Sequence, residues 1–384
     1  MDTFRSLVRS ARSTTHILTL SVPEVQRIPQ IDGLRAIAIL MVFAAHAFAI
    51  PLLWMGVDLF FVLSGYLITG ILLRLKENRN SGGSYWSSFY ARRIRRILPA
   101  YIAFLVVLSF TFRVPWARIW YWYVFFAPNI PLALGKVMVA GMGPLWSLGV
   151  EEQFYFVWPL LVLVCSREAL HRVVLAIIVI SPLLRAVSTP LFSTHFPIYS
   201  LTIFRADTLA MGAFIAIATS RDPQWISRFR RAALTSSVLA LALLMGFSLL
   251  PSFRASANTI FFNSAGYSLS AVFCGSLLIC SLGTHEGLLH KLLTIRPLRY
   301  LGLISYTFYL YHEAVLLKVG QHLHSSPILI ALAAFSVTFL ISLLSWHLLE
   351  APILGRSARR LALDLRSTAG ASGVILCPAE SGKA

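Results

Sequence analysis

Ten apolar stretches of about membrane-spanning length recur along this chain of 384 residues. They fall at about 31–51, 57–75, 98–113, 144–166, 172–189, 203–219, 232–250, 264–282, 299–319 and 327–350. A bilayer core takes roughly 20 apolar residues per helix. Lipid also admits only structures that satisfy their own backbone hydrogen bonds. The expected fold class is therefore all-α, a polytopic membrane helix bundle of about ten transmembrane helices. A composition of 57% hydrophobic and 12% charged residues, with mean hydropathy +0.75, excludes an ordinary soluble domain. An eleventh, aromatic stretch at 116–134 contains Arg118, Pro128 and Pro131 and reads as an outer-face or re-entrant segment.

Basic residues set the orientation. With the N-terminus in the cytoplasm, 25 of the 33 Lys and Arg residues fall on the inner side and six on the outer. Arg35 and Arg205 lie within spans. The expectation is N-in and C-in, with a basic cytoplasmic tail over 1–30, a membrane domain over 31–353 and a disordered cytoplasmic tail over 354–384 rich in Gly, Ser and Ala. The net charge of +18 then places basic loops against anionic membrane lipids and gives no reason to invoke nucleic acid. Cys165, Cys274, Cys280 and Cys377 form no CxxC pair, and no His/Cys cluster has metal-ligand spacing, so no metal site is expected.

The first span carries Asp32, Arg35 and His46. Arg35 and His46 are eleven residues apart, roughly 16 Å along a helix and within about 20° of one face. Polar groups are costly in hydrocarbon and usually have a task or a buried partner. Arg35 suits an anion at the inner surface, and His46, in the outer half, suits a general base. The second span holds Asp58 at its start and Ser64, Gly65 and Tyr66 near its middle; Gly65 admits close approach of a helix or a ligand. FYARRIRRILPAY (89–101) places Arg93 and Arg96 three residues apart, on one side of a helical turn. They read as a positive-inside anchor or as phosphate ligands.

Glu151 and Glu152 sit about two turns inside the fourth span, where adjacent carboxylates call for a wet cavity or a cation, the competing reading being an interfacial cap with both groups hydrated. Arg205 and Asp207, at the outer end of the sixth span, read equally as partners of those glutamates or as headgroup-boundary charges. Ser305, Tyr309 and His312 share a face of the ninth span, and Glu350 ends the tenth at the inner boundary. For His312 and Glu350 an interhelical hydrogen bond or a boundary charge is the competing reading. The aromatic residues Trp116, Trp120, Tyr121, Trp122 and Tyr123 read first as an interfacial belt and second as a sugar-stacking surface.

Together, DGLRAIAILMVFAAH (32–46), GVDLFFVLSGYLI (56–68), FYARRIRRILPAY (89–101), WSLGVEEQFYFVWPLL (146–161), FRADTLAMGAF (204–214), SYTFYLYH (305–312) and LEAP (349–352) resemble the acyltransferase-3 family of integral membrane O-acyltransferases. The resemblance implies a ten-helix fold in the bacterial inner membrane. It implies transfer of an acyl group, commonly acetyl, from cytosolic acyl-CoA to a hydroxyl of a carbohydrate or lipid-linked glycan. Family site residues fall on His46, Arg35, Arg93, Arg96, Glu151, Glu152, His312 and Glu350. Some members carry an outer hydrolase-like domain. Without one, the expectation is completion within the membrane domain or through a separate extracytoplasmic partner.

A mechanism follows as an expectation. His46 serves as general base or acyl carrier, and Glu151 or Glu152 orients it. Arg35, Arg93 and Arg96 hold the phosphates of coenzyme A. Asp32, Ser64, Tyr66, Arg205, Asp207, Tyr309, His312 and Glu350 support the site or the substrate. A proton-coupled transporter or flippase, and more weakly a subunit of a polysaccharide export complex, are the alternatives.

Overall fold

A computed structural model describes residues 28–78, 85–136, 139–254, 256–284 and 286–355. The tails assigned to 1–30 and 354–384 thus lie almost wholly outside the described residues. Helix α1 (Pro29–Phe48) begins with proline in its first turn, where a missing N–H costs nothing, and ends at Ala49 in the left-handed region. A short turn leads into α2 (Met55–Glu77). Helix α3 (Tyr85–Thr111) starts thirteen residues before the apolar run expected at 98, so Arg92, Arg93, Arg95 and Arg96 ride on a helical extension rather than a loop. Two short helices, α4 (Trp116–Val124) and α5 (Asn129–Ala133), make up the aromatic stretch; nine and five residues are too few to span.

Helices α6 (Leu145–Val164) and α7 (Arg167–Ser188) follow; Ser166 caps α7 by accepting from the Ala169 N–H at 3.1 Å. After α8 (Phe196–Ser200) come α9 (Thr202–Arg221), α10 (Trp225–Ser248) and α11 (Tyr267–Leu282), the last entered through a π-helical turn at Phe262–Gly266. Then α12 (Gly287–Thr294), α13 (Arg296–His322) and α14 (Pro327–Ser345) lead through a second π turn, Trp346–Glu350, to α15 (Ala351–Leu354).

Nine of the described helical segments are long and apolar enough to cross a membrane. The ninth expected span, α13, has the length, 27 residues, but is more polar. Its Ser305, Thr307 and His312 are buried against neighbouring helices, so this helix is lined for the bundle interior rather than for lipid. Phe110, Leu249 and Val187 are among the large apolar side chains left exposed on the outer face of the bundle.

Small residues set the closest crossings. A Cβ on Gly65 of α2 would collide with the Leu209 carbonyl of α9, and one on Gly212 of α9 with the Val62 carbonyl of α2. A Cβ on Gly302 of α13 would strike the Asp32 carbonyl of α1. These contacts clamp α2 to α9 and α13 to α1. They resolve the two readings of Gly65: another helix occupies its surface.

Candidate active site

Two polar groups lie at different levels of the bundle, linked by α1. The first gathers around Arg35. Its Nε donates to Ser305 Oγ of α13 at 3.3 Å. Arg96, Asp32, Glu151 and Tyr155 lie within its electrostatic reach. Glu151 accepts from Ser64 Oγ of α2 at 2.8 Å and from the Tyr155 hydroxyl at 3.1 Å. The Arg93 guanidinium lies 4.6 Å above the Tyr155 ring and acts on both Glu151 and Glu152. One oxygen of Glu152 is buried without a partner. Arg35, Arg93 and Arg96 form no direct ion pair among the described residues. Apart from the Arg35 Nε that donates to Ser305, their N–H groups suit a multiply charged anion.

The second group lies eleven residues further along α1. His46 Nδ1 is 2.8 Å from the Val42 carbonyl, and His312 Nδ1 is 2.6 Å from the Tyr309 carbonyl. A carbonyl can only accept, so each Nδ1 carries the proton and each Nε2 presents a lone pair. The two rings meet edge to face at 4.8 Å. His312 Nε2 is buried and unpartnered. The Tyr309 ring stands 5.4 Å from His312, and its hydroxyl shares a 2.5 Å hydrogen bond with Ser147 Oγ. Glu313 completes the group. Its carboxylate lies against Gly143, where an added Cβ would sit 2.8 Å from both oxygens, and it interacts with His46. One Glu313 oxygen is buried without a partner.

The pairing expected between His46 and Glu151 or Glu152 is not what the structure shows. Glu151 is engaged with Ser64, Tyr155 and the arginines, and the carboxylate beside His46 is Glu313. The reason is depth. Ser147, in the first turn of α6, already reaches the Tyr309 level, and the glutamates lie four to five residues deeper, about 6–8 Å along the axis. Sequence reasoning missed Glu313, which directly follows His312. A carboxylate inside an apolar span was itself the available signal.

Other expected residues divide between the site and the scaffold. Ser64 and Tyr309 join the two groups, whereas Tyr66 faces Thr219 and Arg74 instead. Arg205 and Asp207 do not partner the glutamates. Arg205 pairs with Asp58 and lies 4.0 Å over the Tyr267 ring, and Asp207 pairs with Arg185 at 2.7 Å. All four ionic side chains are buried, so Arg185, one of the six basic residues counted on the outer side, is an interior ion. Glu350 accepts from Thr307 Oγ1 at 2.6 Å and from Ser345 Oγ at 3.0 Å, which ties the second π turn to α13. Among the described residues no group of three or more His, Cys, Asp or Glu could hold a metal.

Fold and site together define a polytopic helical membrane protein with an arginine-rich polar group and a paired-histidine group on one buried axis. Residues 28–347 match the acyltransferase-3 family, described as an acyltransferase domain. The chain belongs to this family. It is 30% identical over 365 residues to the peptidoglycan O-acetyltransferase OatA of Listeria monocytogenes, an alignment covering 85% of this chain and 56% of that protein. It is 26% identical over 361 residues to the O-acetyltransferase OatA of Staphylococcus aureus, covering 85% and 57% respectively. The chain thus spans little more than half the length of these relatives. No solved structure matches it. Neither the family nor the relatives support the transporter alternative.

Proposed function

We propose that this chain is an inner-membrane O-acyltransferase, oriented N-in and C-in, that moves an acetyl group from cytosolic acyl-CoA to a carbohydrate hydroxyl at the outer half of the membrane. The observation that carries this reading is the division of α1. Cations that form no ion pair among the described residues gather at Arg35, and an imidazole whose Nε2 presents a lone pair stands roughly 16 Å further along. Arg35, Arg93 and Arg96 bind the phosphates of coenzyme A, and the pantetheine arm carries the thioester into the bundle. Glu151, held by Ser64 and Tyr155, keeps the arginines oriented.

At the far group, His46 Nε2 accepts the proton of the acceptor hydroxyl as its oxygen bonds to the thioester carbon. The carbon–sulfur bond then breaks. The sulfur leaves with the proton returned from the imidazolium, giving the ester and free CoA thiol. Glu313 stabilises the imidazolium that forms between these steps. The relatives named as peptidoglycan O-acetyltransferases support a cell-envelope glycan as acceptor.

The test is release of CoA and transfer of radiolabelled acetyl from acetyl-CoA into envelope glycans, in membranes containing wild type or His46→Ala at matched expression. Loss of general base catalysis predicts a fall of about 10²-fold or more in the variant. Equal incorporation by the variant removes His46 as the base. Absence of both CoA release and label with wild type overturns the enzyme reading.

A further inference from the structure

The aromatic segment reads from sequence as an interfacial belt, but the structure gives it a shape that a belt does not need. An open pocket of about 270 Å³ is formed where α4 meets Pro131, Lys136 and Val139. Its lining combines the rings of Tyr121 and Trp122 with the cations Arg118 and Lys136. The frame is held rigidly. Tyr123 is buried, the Tyr101 hydroxyl donates to its carbonyl at 3.0 Å, and Trp116 Nε1 donates to Ser109 Oγ at 2.8 Å. Lys136 Nζ lies 6.0 Å from the Trp122 ring centre, so charge and ring face share one space.

Two further observations indicate what fits there. First, no acidic residue occurs between Glu77 and Glu151, and neither Arg118 nor Lys136 forms an ion pair among the described residues. The pocket is therefore an uncompensated positive site. Second, its wall leads to the histidines. Beyond Val139 the chain passes Gly141, where a Cβ would lie 2.8 Å from Ala314, and Gly143, which abuts the Glu313 carboxylate. Val139 of the pocket wall is thus four residues of chain from Gly143, which abuts the carboxylate that follows His312. A sugar ring offers an apolar C–H face to an aromatic ring, which a lipid phosphate does not, and an anionic substituent answers the two cations.

We infer that this pocket is the acceptor subsite and that it takes an anionic saccharide, stacked on Trp122 and held by Arg118 and Lys136. The use made of the bound sugar rests on the acyltransferase reading; the binding itself does not. The experiment is therefore equilibrium binding to the full chain in nanodiscs. The probes are soluble peptidoglycan glycan strands with free carboxylates and the same strands with those carboxylates amidated. Wild type and His46→Ala should bind the charged strands equally. Trp122→Ala, and the exposed pair Arg118→Gln with Lys136→Gln, should weaken binding about tenfold, or about 1.4 kcal/mol. Amidation should weaken binding to wild type by a similar factor.

Unchanged binding in these variants, equal binding of amidated strands, or no saturable binding overturns the subsite. Competition by anionic but not zwitterionic lipid in the disc also overturns it, in favour of a headgroup site. Charged-strand binding that follows the prediction without any acetyl transfer leaves the subsite standing and removes the acyltransferase reading.

Discussion

In the proposed reaction His46 and Arg35 act through different partners. The Val42 carbonyl sets the tautomer of His46, so Glu313 is left to act through its charge on the protonated ring. We expect Glu313→Gln to lower kcat about tenfold, equivalent to about 1.4 kcal/mol of transition-state stabilisation, with KM for both substrates unchanged. Glu313→Asp should recover most of the loss; a rise in KM with unchanged kcat would instead make Glu313 a binding group. Arg35→Lys should do the reverse. Replacing a planar fork by a point charge should raise KM for acyl-CoA about tenfold at near-constant kcat. Steady-state kinetics with acetyl-CoA as the varied substrate separates the two. His46, Arg35 and Glu151 stand out in the sequence as candidates because each is a polar group stranded in an apolar run. Which carboxylate faces His46 was not legible, since the answer depends on how far α6 is inserted relative to α13.

Helix contacts depend on positions where a side chain is missing. Gly65 and Gly212 place carbonyls of α9 and α2 where side chains would otherwise stand. Gly65→Val should destabilise the protein by about 3 kcal/mol or more, as overpacking a close crossing does. A lowered melting temperature and loss of the monodisperse peak on size exclusion would show it; an unchanged melting curve would mean the crossing can open. Gly246, with nothing within 4 Å of an added Cβ, should accept alanine without loss, because alanine is the better helix former. The helices themselves were readable from hydropathy within a few residues, except at the starts of α3, α7 and α10, which lie thirteen, five and seven residues earlier than expected. At α3 a basic amphipathic turn continues the helix beyond its apolar part, which a hydropathy reading cannot detect.

Across the whole bundle, two buried ion pairs join α2, α7 and α9: Asp58 with Arg205, and Arg185 with Asp207. Breaking one such pair leaves an uncompensated charge. Arg205→Met should therefore cost roughly 3–5 kcal/mol, and adding Asp58→Leu should return much of it. Thermal unfolding of the single and double variants in detergent measures this coupling; equal destabilisation by both would remove the pair as a unit. Hydrophobic length and the scarcity of charge dictated an all-α membrane bundle, because lipid leaves the backbone few alternatives. The order of motifs likewise disclosed the family. Those signals are local, carried by single helices. The choice of Glu313 over Glu151 beside His46 and the diversion of Arg205 and Asp207 into the scaffold arose only on packing. Each depends on the depth and rotation of one helix against another, and hydrophobic patterning leaves both undetermined when nearly every face is apolar.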